Sequence, residues 1–288
     1  MTSNTGNMPM AHIAPIGIFD SGIGGLSVLR HIHQNLPHED LLYFADSAYA
    51  PYGDRSEAEI SARSLAVTEF LLQRGVKALV VACNTATTAA IKAIRSAYPD
   101  LPVIGIEPGL KPAAAQSHSK IVGVLATKAT LLSARLLSLQ QQISAASGVH
   151  FELQACVGLV DQIEKGELRS PQTAQLLQRY IAPLIAQGAD TLVLGCTHYP
   201  FVRPLIEEVV SSLTTSPVAI IDTGDAVSRQ LTRVLSDNAL LQSPLQQGNV
   251  SAFTTGSQTA LKTAFSSLLQ LNPAIQQVAT MTPSAAIS

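Results

Sequence analysis

Short apolar runs of strand length alternate with amphipathic stretches of helical length along most of the chain. That alternation predicts parallel sheets covered by helices. The expected strands are "IGIF" (16–19), "LLYFA" (41–45), "ALVVA" (78–82), "PVIGI" (102–106), "IVGVL" (121–125), "FELQA" (151–155), "TLVLG" (191–195) and "VAIID" (218–222). Helices are expected over 56–75 and 170–188, each opening at a serine N-cap and closing at glycine. "TTSP" (214–217) reads as a loop, and the polar stretch 266–288 as a frayed terminus.

The pattern also repeats within the chain. "PIGIFDSGIGGLSVLR" (15–30) and "IVGVLATKATLLSARL" (121–136) each give a buried strand, a hydroxyl-bearing loop and a helix. "VKALVVACNTAT" (76–87) and "ADTLVLGCTHYP" (189–200) each give a strand that runs into a loop carrying cysteine and threonine. Order and spacing agree with a duplicated α/β unit. The expected fold is two pseudo-symmetric α/β domains, each a mostly parallel sheet flanked by helices, with the site in the cleft between them. The first domain would hold residues 13–110 and be completed by 222–288; the second would hold 111–221. Ligands in open α/β sheets bind at the carboxyl ends of strands, so Cys83 and Cys196 would approach a ligand from opposite sides.

A chain of 288 residues is long enough to bury a substantial core. Only 13% of it is charged, about half the roughly 25% of an average domain, so much of the sequence must lie inside. The net charge of -2 and the lack of a basic run give no footprint for nucleic acid. No segment has the length of a membrane span, and the N-terminal dozen residues lack the basic and apolar regions of a signal peptide. Three cysteines, odd and sparse, argue against a disulfide framework and for a reducing compartment. A cytoplasmic location is therefore expected.

The glycine-rich "DSGIGGLS" (20–27) follows a strand and opens a helix, which invites a dinucleotide reading. Serine stands at Ser27, where the fingerprint needs glycine or alanine, and a tight turn presenting Asp20 and Ser21 to a small anion is the better account. Cys83 is placed at a strand end before a helix beginning near Thr85, where helix-end amides favour a thiolate. Cys196 shares its loop with Thr197 and His198, an imidazole able to accept a proton or keep a thiol ionised. Either cysteine alone would pass for a small buried hydrophobe, as Cys156 does. Zinc on Cys83, Cys196 and His198 lacks a local chelating pair, and a Cys83–His198 hydrolase would leave Cys196 unexplained.

Two opposed thiols suit proton exchange at a stereocentre. One thiolate takes the α-proton from one face, and the other, as a thiol, returns a proton to the opposite face. An ordinary thiol pKa of about 8.5 lets either form exist near neutrality. Directed hydrogen bonds must also stabilise the developing carbanion. The residue types alone say only that the ligand is small, polar and anionic, which leaves open racemisation of an acidic amino acid such as aspartate, dehydrogenase chemistry and a non-catalytic amino-acid-binding module.

With these motifs assembled, the chain resembles the glutamate racemases of the aspartate/glutamate racemase family. The resemblance rests on "GIFDSGIGGLSVL", "YFADSAYAPYG", "ACNTATTAA", "GIEPGLKPA" and "LGCTHYPF", in family order between Ile16 and about Phe265. It implies a cofactor-independent isomerase interconverting L- and D-glutamate for peptidoglycan synthesis. It implies Cys83 as the base acting on D-glutamate and Cys196 as the base acting on L-glutamate. Asp20 would assist Cys83, His198 would assist Cys196, and Glu164 in "GLVDQIEKG" would support His198. Asp20, Ser21, Pro51, Tyr52, Gly53, Asn84, Thr85, Thr127, Thr197 and His198 would hold the substrate's ammonium and carboxylates. No metal is implied. Some members are activated by a cell-wall precursor, and members often form homodimers. The chain departs from the common pattern at Ala126 and Ala129, where many members have glycine, and at Val157, where proline is common.

Overall fold

The computed structural model describes residues 13–243 and 247–279. Its strands are β1 (Ile16–Asp20), β2 (Leu41–Ala45), β3 (Ala78–Val81), β4 (Val103–Gly105), β5 (Ile121–Ala126), β6 (His150–Ala155), β7 (Thr191–Gly195), β8 (Ala219–Ile221), β9 (Val250–Thr254) and β10 (Ala274–Gln277). Its α-helices are α1 (Leu26–Asn35), α2 (Glu57–Leu72), α3 (Asn84–Ala97), α4 (Leu110–Gln116), α5 (Lys128–Leu132), α6 (Ala134–Ser147), α7 (Leu159–Glu164), α8 (Pro171–Ala186), α9 (Arg203–Leu213), α10 (Gly224–Asp237) and α11 (Gln258–Ala264).

The strands form two sheets, ordered β10-β9-β2-β1-β3-β4 and β6-β5-β7-β8, and the pairings within both are parallel. The second sheet repeats the order β2-β1-β3-β4 of the first, which is the duplicated unit expected from the two pairs of like segments. Parallel sheets need both faces covered, and the apolar composition of the strands supplies the contacts. On one face of the first sheet Ile16 and Ile18 pack with Leu29 of α1, Leu231 of α10 and Leu261 of α11; on the other, Phe19 and Val81 pack with Val67 of α2 and Ile91 of α3. In the second sheet Leu192 and Leu194 meet Ile181 and Ile206, while Val122 and Val193 meet Ala113 and Leu136.

The helix starts follow local chemistry. Ser56 caps α2 in a reciprocal box with Glu59, and Ser170 caps α8 ahead of Pro171. Two strands depart from the expectation. β9 was not foreseen, and the stretch from 266 onward is not simply frayed, because β10 within it extends the sheet beyond β9. "VSAFT" and "AIQQ" are short and mixed, and only Ile275 of β10 is buried, so neither carries the apolar run of a central strand. The N-terminal dozen residues and the last nine lie outside the described residues. Among the described residues no helix is long and apolar enough to cross a membrane.

Candidate active site

The site gathers at strand carboxyl ends. Asp20 ends β1, Asp46 follows β2, Cys83 follows β3, Thr127 follows β5 and Cys196 follows β7. Loops there lack sheet partners, so their polar atoms turn to one another across the space between the two sheets.

Asp20 is fully buried. Its Oδ1 accepts the Gly22 N–H at 2.8 Å and the Ser21 hydroxyl at 3.3 Å. Its Oδ2 accepts the Thr197 hydroxyl from the second half at 2.8 Å. Burial pushes the Asp20 carboxyl up to about 6, against the pull of His198, the Gly22 N–H and the Thr197 hydroxyl. Ser21 also lies beside Cys83, with Sγ to Oγ 3.9 Å.

Cys83 is the N-cap of α3, and its sulfur accepts the Ala86 N–H at 3.4 Å. The helix begins at Asn84. The expectation that helix-end amides tip this group toward thiolate is corrected here. Burial, and then the Asp20 carboxylate, drive the Cys83 thiol well above its ordinary range, and the Ala86 N–H only partly offsets them.

Cys196 stands 3.7 Å from His198 Nδ1, and His198 Nε2 stands 2.6 Å from Glu164 Oε1 at the end of α7. Glu164 therefore reaches His198. Burial alone would lower the His198 pKa, but the Cys196 sulfur and the Glu164 carboxylate outweigh it and hold the ring well above 6.5, as imidazolium. Burial works against the Glu164 charge too, and His198 with the Ile23 N–H overcomes it, so its pKa is lowered. That Ile23 N–H reaches Glu164 Oε1 at 2.9 Å from the first half.

The glycine-rich turn after β1 is built for this contact. A Cβ on Gly22 would lie 2.0 Å from Glu164 Oε1, and one on Gly24 would lie 2.3 Å from His198 Nδ1. Ser27 donates to the Thr197 carbonyl at 2.8 Å, and Tyr43 OH donates to the Gly22 carbonyl at 2.7 Å. The turn's glycines admit side chains of the second half rather than a dinucleotide pyrophosphate, which removes the basis of the dehydrogenase reading.

The opposite wall consists of hydroxyls. Thr85 Oγ1 lies 3.0 Å from Thr127 Oγ1 and 3.2 Å from Thr130 Oγ1. Gly53 packs on Thr127, whose Cβ would be 3.0 Å from an added methyl. Asn84 is 4% exposed, and neither its side-chain oxygen nor its nitrogen has a hydrogen-bond partner among the described residues. A buried amide of that kind is costly unless a ligand engages it. Tyr52 is buried with its hydroxyl on Asp46 at 2.5 Å, so what the Pro51–Gly53 segment offers the cleft is backbone. Outside this wall a cleft of about 860 Å³ runs between α3 and α6, lined by Arg55, Thr85, Lys92 and Arg135 and by neither thiol.

Of the residues expected at the site, the structure links Asp20, Ser21, Cys83, Glu164, Cys196, Thr197 and His198 through side-chain contacts and sets Thr85 and Gly53 against Thr127. Ser27, Asp46, Arg63 and Thr255, which bond to these residues or to their loops, were not among those expected. Asp46 stands inside "YFADSAYAPYG" and was open to discovery there. Arg63 in mid-helix reads like a residue of a solvated face, and Ser27 like a lapse in a glycine motif. Cys156 is buried among the apolar residues of the second sheet, as expected of a structural thiol.

The Asp/Glu/Hydantoin racemase family model matches residues 16–231. A glutamate racemase of Ectopseudomonas mendocina is 54% identical over 228 residues, covering 79% of this chain and 84% of that one. The glutamate racemase isoform RacE1 of Bacillus anthracis superposes with a TM-score of 0.82 at 31% identity, covering 92% of this chain and 97% of that one. The Escherichia coli glutamate racemase, solved with L-glutamate and the activator UDP-MurNAc-ala, gives a TM-score of 0.77 at 29% identity, covering 92% and 98%. With the two thiols at matching strand ends and this degree of likeness, the chain belongs to the Asp/Glu/hydantoin racemase family.

Proposed function

We propose that this protein interconverts L- and D-glutamate by a two-thiol acid and base mechanism, and that its D-glutamate serves peptidoglycan synthesis. The carrying observation is the placement of Cys83 and Cys196 at equivalent strand ends of two sheets with the same order, each with its own polar partner. The glutamate itself comes from the relatives, of which the Escherichia coli enzyme was solved with that ligand.

In the L to D direction, the Cys196 thiolate takes the α-proton and becomes a thiol, and the electron pair stays on the α-carbon. Cys83 gives its thiol proton to the opposite face and becomes a thiolate. Loss of the Cys196 proton to solvent with uptake of one by Cys83, or the reverse turnover, restores the start. The His198 imidazolium beside Cys196 stabilises the thiolate there, and buried Cys83 keeps its proton until a carbanion forms. Asp20, beside Ser21 and through it Cys83, receives or relays that proton on the return path. Asn84, Thr85, Thr127, Thr197, Ser21 and the backbone of Pro51–Gly53 supply hydrogen bonds to the ammonium and carboxylates, aimed within a site that excludes water. These roles use only groups of the chain. Activation by a muramyl precursor, as in the Escherichia coli neighbour, belongs to the same reading.

The test is incubation with L-glutamate and L-aspartate separately in D2O, without added pyridoxal phosphate, followed by chiral and mass analysis. Deuterium entering the α-position of glutamate as the enantiomers equilibrate is the expected result, with a faster approach on adding the precursor. Cys83→Ala and Cys196→Ala should each abolish racemisation. Turnover surviving either change would sink the mechanism, and conversion of aspartate alone would replace the substrate.

A further inference from the structure

Asp46 is fully buried behind the Pro51–Gly53 segment and anchors three parts of the chain. Arg63 of α2 grips its carboxylate with Nε at 3.0 Å and Nη2 at 2.7 Å, and the guanidinium lies 3.8 Å from the centre of the Tyr49 ring. Tyr52 OH donates to Asp46 Oδ2. Thr255, just beyond β9, donates to Asp46 Oδ1 at 2.9 Å and accepts the Ala48 N–H at 3.1 Å. The Asp46 N–H in turn bonds the Asp20 carbonyl at 3.0 Å.

A buried ion pair is weak evidence for stability, because apolar residues of the same volume often serve as well. What such a pair secures is geometry, since a bidentate guanidinium fixes a carboxylate in plane and a fully satisfied network holds one arrangement. Here the arrangement carries Tyr52 and Gly53, and Gly53 meets Thr127 across the cleft. The last member of the network, Thr255, lies outside the residues 16–231 that the family model matches.

We infer that Thr255 and Arg63, acting through Asp46, are positioning residues that set the Tyr52–Gly53 backbone against substrate and so set affinity for it. The inference rests on the reading above, in which that segment holds a substrate carboxylate. It assigns the segment after β9 a part in the site as well as in the sheet.

The test uses the full-length protein and the variants Thr255→Val, Thr255→Ser and Arg63→Lys, with kcat, KM and Tm measured for both enantiomers. Valine keeps the shape and removes the hydroxyl; lysine keeps the charge and loses the fork. Thr255→Val should raise KM about fivefold, the worth of one net hydrogen bond, with kcat within about twofold. Thr255→Ser should restore the wild-type KM, and Arg63→Lys should raise KM as valine does. The enantiomers have equal free energies in water, so kcat/KM must fall by one factor in both directions. An unaltered KM in Thr255→Val or in Arg63→Lys, with only Tm lowered, would overturn the positioning role. Wild-type glutamate turnover in the same assay tests the underlying reading separately.

Discussion

Glu164 Oε1 stands 2.6 Å from His198 Nε2 and accepts the Ile23 N–H at 2.9 Å with the same oxygen, so one carboxylate charges the imidazole and ties the two halves together. The two functions separate in Glu164→Gln. The amide oxygen can still accept from Ile23, but the charge that holds the His198 pKa above its ordinary value is gone.

Loss of that charge gives a pH signature. His198 is effective as imidazolium, so its benefit is complete at low pH and disappears as pH rises through its folded-state pKa. In Glu164→Gln that pKa falls, and the alkaline limb of kcat/KM moves to lower pH, by about one unit for each 1.4 kcal/mol of attraction removed. A profile lowered in height with an unmoved limb would reduce Glu164 to a structural prop.

The glycine turn predicts a steric result. In Gly24→Ala the new methyl would sit 2.3 Å from His198 Nδ1 and 2.6 Å from Thr197 Oγ1. The two residues whose places it takes are those that flank Cys196 chemically. Overpacking should cost about 1–3 kcal/mol of stability, while activity falls by about a hundredfold, as small misplacements of catalytic groups do. Stability with activity retained would show that the contact between the halves is slack.

Much of the fold was legible because central parallel strands are continuous apolar runs, and the strand positions follow from "LLYFA" and "TLVLG" directly. The thiols were legible because duplication put the same residue at the same strand end twice. β9 and β10 were not: "VSAFT" is short and mixed in character although β9 pairs on both sides, and β10 at the sheet edge buries only Ile275, so the pairing of both is set by the rest of the sheet. The pKa direction of Cys83 was not legible either. A helix N-terminus is a local feature that sequence shows, whereas burial and the nearby Asp20 carboxylate, the two effects that raise Cys83, are set by tertiary packing. For the same reason the Asp46 network escaped, because Arg63 and Thr255 meet it from elements distant in sequence.

A second buried ion pair predicts the opposite behaviour from Arg63 and serves as a contrast. Lys77 Nζ lies 2.5 Å from Glu39 Oε2 with both side chains 2% exposed, and Glu39 Oε1 accepts the Gln242 N–H at 2.8 Å. These residues sit before β3 and β2, at the amino ends of the strands and away from the thiols. Lys77→Met strands a buried carboxylate and should destabilise the protein by about 3–5 kcal/mol. Its KM for glutamate, measured well below the melting transition, should match the wild type. A raised KM would show that the sheet transmits strain from one end to the other.

Asp20 offers a final prediction, in which activity and stability part. Its pKa rises from 3.8 to about 6 because burial penalises the charge. A carboxyl that holds its proton more tightly when folded makes the fold less stable as pH rises between those two values. Above about pH 6 the full deficit is present, ~3 kcal/mol at 1.36 kcal/mol per pKa unit. Below 3.8 both states are protonated and the deficit is absent. Asp20→Asn escapes it: the amide oxygen can keep the Gly22 N–H, and the Thr197 hydroxyl can turn to accept from the amide nitrogen. The variant should therefore melt higher than the wild type at neutral and alkaline pH, with the gap closing in acid, while racemisation is lost with the carboxylate beside Cys83. Such an exchange of stability for function is common where a charge is buried for chemistry. Equal melting temperatures at every pH would mean that Asp20 is solvated and ordinary, and its place in the proton path would then have to be given up.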